Sequence, residues 1–217
     1  MPTPLEKARQ DPESMKGRIL ASAIKLFGLN GFQGTTTRMI AKDVGIDIST
    51  LYYHWGEKKD LYESVIIDLN DSVSQKLKEI ERVIRGKPLA TRMDISIDMV
   101  CDYLFDRPEI SNIFLYRYIP TSHNDENIDV IIPEYISNIA ISLGMALDKK
   151  EISVQTKARV LAAFHSIFNF ISGEHYFRPF LGISHEEYVG IVKDTLKFIL
   201  IPAFTQESMN NPTHHES

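Results

Sequence analysis

In segment after segment between Ile19 and Ile199, the apolar residues of this chain recur at every third or fourth position, and no convincing strand run interrupts them. A period near 3.6 turns one stripe of each segment toward a common core, so the chain is expected to be all-α. The first helix starts near Ser14, carries Ile19, Leu20, Ala23, Ile24 and Phe27, and stops at Asn30-Gly31, residues suited to the left-handed turn that ends helices. Thr35, Thr36 and Thr37 offer N-caps to a second helix with Ile40, Ala41 and Val44 inward, and Gly45 ends it. Asp47 or Ser49 can cap a short third helix whose apolar side is Leu51, Tyr52 and Trp55. After Gly56 a stripe from Leu61 to Ile84 makes a long fourth helix that ends near Gly86-Lys87-Pro88.

Helical spacing continues through Met93 to Leu104, Ile110 to Phe114 and Ile132 to Leu147. From Val154 to Tyr176 two stripes share one helix, Ala158-Leu161-His165-Phe168 and Val160-Phe164-Ile167-Ile171, and the last helix, Glu186 to Ala203, is doubled in the same way. A helix apolar on two sides must bury both, which points to a partner as well as its own core.

The formal charge of -5 argues against a nucleic-acid partner until it is resolved along the chain. Residues 1–62 carry 9 Lys/Arg against 7 Asp/Glu, and the remainder 15 against 22, so only the first segment would approach phosphate comfortably. In that segment two short helices meet at a glycine turn, the arrangement that lets the second enter a major groove. Leu51 and Trp55 point inward, leaving Ile48, Ser49, Thr50, Tyr53 and His54 outward. Tyr53 and His54 can donate to phosphate, and Thr50 and Ile48 can meet base edges or thymine methyls. Thr36 and Lys58, each at a helix start, can grip backbone phosphates with help from free N–H groups.

These residues resemble the TetR family of transcriptional regulators. The resemblance covers about residues 16–66 and rests on Gly31-Phe32, Thr35-Thr36, Ile40-Ala41, Gly45-Ile46, Thr50-Leu51-Tyr52, Tyr53-His54-Trp55, and Lys58 with Leu61. Asp47 and Ile48 depart from it, standing where the family often has Ser and a basic or small polar residue; Asp47 suits a cap better than a phosphate contact. The resemblance implies a dimer built from the last two helices and an effector pocket beyond about residue 90. The fold expected is an N-terminal three-helix helix-turn-helix DNA-binding domain (14–62) after a flexible, proline-bearing arm (1–13), then a larger helical effector-binding and dimerisation domain (63–204) and a disordered tail (205–217). The partners expected are a double-stranded DNA operator, a small-molecule effector and a second copy of the chain.

The second half is rich in aromatics, suiting a hydrophobic effector. Tyr103, Phe114 and Phe168 are candidate lining residues, with Arg117, His123, His165 and Asn169 to orient a carboxylate or hydroxyl. Enzyme readings fail on spacing: His185-Glu186-Glu187-Tyr188-Val189 lacks the second His of a zinc-protease helix, and Gly182-Ile183-Ser184-His185-Glu186 lacks the closing Gly of a nucleophile elbow. His214-His215 has no partner at ligand spacing, so neither metal nor cofactor is expected. The single Cys101 excludes an internal disulfide, and with no membrane-length apolar run and no signal-peptide core the expected location is the cytoplasm. The alternative keeps the DNA head and makes the second domain a protein-interaction or nucleoid-architecture module without an effector.

Overall fold

The computed structural model describes residues 2–117, 135–143, 145, 148 and 152–210, and the regular structure among them is helical throughout. The chain divides into two compact units. The first holds α1 (Pro4–Gln10), α2 (Met15–Gly34), α3 (Thr37–Val44), α4 (Ile48–Trp55), the start of α5 (Lys58–Ile84) and α7 (Pro108–Tyr116). The second holds the rest of α5 from Ser74, α6 (Leu89–Phe105), α8 (Tyr135–Ser142), α9 (Val154–Ser172), α10 (Glu174–Leu181) and α11 (His185–Asn210). The division therefore falls inside α5 rather than at residue 62, because the stripe from Leu61 onward is one unbroken helix.

The expected flexible arm is instead a helix. Pro4 occupies the first helical turn, where its missing N–H costs nothing, and Thr3 and Glu6 form a reciprocal capping box. Leu5 and Ala8 are buried, and Arg9 pairs with Asp68 at 2.7 Å and Asp71 at 2.9 Å. At the other end α11 continues through Pro202 to Asn210, beyond the expected stop at Ala203; residues 211–217 of the expected tail lie outside the described residues. The segment read as one helix from Val154 to Tyr176 is two, parted at Gly173.

In the first unit α2 is the central element. Ile19, Ala23 and Phe27 are fully buried, and Phe27 meets Tyr62 edge-on at 5.0 Å, with Phe32 at 6.1 Å. On another side of α2, Gly28 lets α7 approach so closely that an added Cβ would stand 2.7 Å from the Cβ of Glu109. In the second unit α6 packs on α11; Met93, Ile97 and Leu104 of the one and Val192, Leu196 and Leu200 of the other are buried, and Lys197 pairs with Asp94 at 3.0 Å and Asp98 at 2.8 Å across the contact. Cys101 is buried in α6, and burial pushes its thiol up to about 12, where it is an inert small hydrophobe. No helix among the described residues is long and apolar enough to cross a membrane.

Candidate nucleic-acid interface and ligand cavity

Local chemistry sets the two short helices. The Thr36 hydroxyl caps α3 by accepting from the Met39 N–H at 3.2 Å. Gly45, at φ 79°, closes α3 in the left-handed conformation and donates to the Ala41 carbonyl at 2.9 Å. Asp47 caps α4, accepting from the Thr50 N–H at 2.7 Å and the Ser49 hydroxyl at 2.6 Å. Those bonds, the Ser49 one foremost, hold its carboxyl below the ordinary value, so the acid faces its own helix start as a cap.

Leu51 and Trp55 are buried, and the Trp55 indole donates to the Lys16 carbonyl at 3.2 Å. On the outer side Tyr53 is 84% exposed, Ser49 is exposed, and Ile48, Thr50 and His54 are half-buried. The structure thus brings Ile48, Ser49, Thr50, Tyr53 and His54 onto one short helix, with Thr36 exposed at the start of its neighbour. Lys58 is placed differently from the expected open phosphate grip. Its ammonium donates to the carbonyls of Phe32 and Thr35, each at 3.0 Å, and lies 4.2 Å from the Phe32 ring, tying the start of α5 to the segment that positions Thr36.

Two cations not anticipated from the sequence brace this pair of helices. Arg18 donates to the Val44 carbonyl at 2.7 Å, and Lys16 to the His54 carbonyl at 2.7 Å, so the first turns of α2 satisfy carbonyls at the ends of α3 and α4. No local motif links positions this far apart. The Lys16 ammonium also lies 3.4 Å from His54 Nδ1. An ammonium only donates, so Nδ1 must be the acceptor and the neutral ring carries its proton on Nε2. Burial, then Lys16, lowers the His54 pKa below 6.5. As pH falls below 6.5 the unfolded chain takes up a proton that the folded chain resists, so this histidine weakens the fold in acid. Replacing Lys16 with Met should raise the His54 midpoint toward its ordinary value in an NMR titration of the ring protons. An unmoved midpoint would assign the whole depression to burial.

The second unit holds a half-open cavity of about 510 Å³ between α5, α6, α8, α9 and α11. Its walls are mostly apolar, from Ile80 and Ile84 across Ile97 and Phe164 to Leu200 and Phe204, with a few polar groups among them. None of the described residues expected to hold an effector lines it. Tyr103 accepts from Arg107 at 3.2 Å, while Phe114 and Arg117 belong to α7 in the first unit. His165 turns Nδ1 back to the Leu161 carbonyl at 2.7 Å, Phe168 is buried with its ring 5.7 Å from that of Phe164, and Asn169 is exposed. Of the two stripes on α9, the cavity takes the one through Val160, Phe164 and Ile167, whereas His165 and Phe168 come from the other. His123 lies outside the described residues.

Residues 19–65 match the family described as bacterial regulatory proteins, tetR family. The biofilm operon icaADBC HTH-type negative transcriptional regulator IcaR of Staphylococcus aureus (strain Newman) is 30% identical over 136 residues, covering 62% of this chain and 68% of that protein. The Staphylococcus epidermidis IcaR is 40% identical over 129 residues, covering 59% and 65%. Among solved structures, the transcriptional regulator FadR from Bacillus subtilis in complex with stearoyl-CoA superposes with a TM-score of 0.60 at 15% identity, covering 85% of this chain and 96% of that one. The fatty acid degradation regulator FadR from Bacillus halodurans gives 0.57 at 15% identity, covering 84% and 94%. At these identities the two structures speak for the fold, while the IcaR match spans more than two thirds of that protein. With the reading head and most of a known regulator matched, the chain belongs to the TetR family of bacterial regulatory proteins, the all-helical DNA-binding regulators of transcription.

Proposed function

We propose that this chain is a cytoplasmic repressor that binds a palindromic operator as a homodimer and leaves it when a hydrophobic small molecule enters the second unit. The observation that carries the reading is the outer face of α4: Tyr53 is 84% exposed beside the outward groups of Ser49, Thr50 and His54. The neutral His54 ring supplies a donor at Nε2, as does the Tyr53 hydroxyl, and both suit phosphate oxygens; Thr50 and Ile48 suit base edges. Two copies of α4 about 34 to 36 Å apart would meet successive major grooves. The apolar side chains left open on α10 and α11, Tyr176, Phe180, Ile191, Phe198 and Ile199, support a second copy as the dimer partner.

A cavity of this size falls in the range that holds drug-sized ligands, which favours a sensor over a protein-interaction or nucleoid-architecture module. The dimer blocks polymerase, and ligand binding weakens operator affinity by a coupling of roughly 1–3 kcal/mol. α5 carries cavity residues Leu77 to Ile84 and begins at Lys58 beside the reading head, so it is the covalent route for that coupling.

Replacing Tyr53 with Ala should weaken binding to an operator selected from genomic fragments by about tenfold in gel shifts, with unchanged melting temperature and dimerisation. Unchanged affinity would remove α4's outer face from the contact.

A further inference from the structure

The polar groups of the cavity form a seam. On α5, Ser74, Lys78 and Glu81 stand at spacings of four and three, which places them in one row; on α8, Asn138 and Ser142 are four apart and do the same. The rows join where the Ser142 hydroxyl donates to Glu81 at 2.6 Å. Arg92, one turn before the lining residue Ser96 on α6, donates to the Ser142 oxygen at 2.7 Å and lies 3.6 Å from Glu81.

The charges of this seam do not cancel. Glu81 is answered by both Ser142 and Arg92, so its carboxylate is already matched and is a poor counter-ion for a cationic ligand. The buried Nε of Arg92 finds no acceptor among the described residues. Lys78, three residues before Glu81, is in no ion pair among them. With Arg92 just behind the lining through its contacts with Ser142 and Glu81, this side of the cavity holds two cations to one anion, with donors in excess, beside a largely apolar space. An acceptor-only anion satisfies both surpluses, whereas an alcohol satisfies neither charge and a quaternary ammonium adds to the repulsion.

We infer that the cavity takes an amphipathic carboxylate, its hydrocarbon body among the apolar side chains and its carboxylate at the Lys78–Arg92 side of the α5–α8 seam. This rests on the reading of the cavity as the effector site and adds the ligand class.

The test compares laurate, lauryl alcohol and lauryl trimethylammonium below their micelle-forming concentrations, by melting-temperature shift of the full chain, with operator release followed in parallel by gel shift. Laurate should bind about tenfold more tightly than the alcohol, and Lys78→Gln, at an exposed position, should erase that difference. Equal binding of acid and alcohol, tighter binding of the ammonium, an unaffected Lys78→Gln variant, or no binding by any of the three would each overturn the inference. Laurate binding with the expected preference but without operator release would leave the ligand class standing and sink the effector reading.

Discussion

Replacing Phe27 with Ala should destabilise the protein by about 3–5 kcal/mol and remove operator binding with it. Phe27 is fully buried, and its ring stands 5.0 Å from that of Tyr62 and 6.1 Å from that of Phe32. Phe32 and Tyr62 are themselves 4.8 Å apart, and Phe32 carries the Lys58 ammonium over its face. Removing the central ring leaves a void under both the α2–α5 contact and the lysine that steadies the start of α3. Urea unfolding followed by far-UV circular dichroism would give the loss directly. A change under about 1 kcal/mol would show that the neighbouring rings collapse into the space.

Replacing Gly28 with Val should cost about 3 kcal/mol by the opposite route, overpacking rather than a void. The new Cβ would lie 2.7 Å from the Cβ and 3.1 Å from the Cα of Glu109, atoms too close to the α7 backbone to swing aside. α7 must then lift off α2. Hydrogen exchange should show faster amides across Pro108–Tyr116 while α9 and α11 keep their protection. If α7 stays as protected as in the parent, the two helices can part without losing their packing.

Much of the reading head was legible because its chemistry is local. Thr36, Gly45 and Asp47 mark helix ends through bonds to residues three or four positions away, and the inward set of Ile40, Ala41, Val44, Leu51 and Trp55 follows from spacing, although Tyr52, expected on the same apolar side, is 47% exposed. Where the sequence misled, the deciding contact was distant or the cue ambiguous. Prolines read as breakers in residues 1–13, yet Pro4 sits where proline starts a helix. Lys16 and His54 meet across 38 positions, and Lys58 turns back to a carbonyl 26 positions earlier. For the cavity, periodicity identifies two apolar stripes on α9 but carries no information on which one borders empty space: Phe164 and Ile167 line it, and His165 and Phe168 do not. Phe114 was misplaced for a related reason: nothing in its spacing says that its helix packs on α2.

That last packing bears on how the head can be transplanted. Ile110, Ile113 and Phe114 are buried in a unit whose other helices all precede residue 74. A gene fragment cut midway through α5 would therefore encode a head with an open flank along Gly28, sticky and incomplete. Anyone fusing this head to a foreign sensor would have to bring the distant Pro108–Tyr116 stretch along, or rebuild that flank with polar side chains.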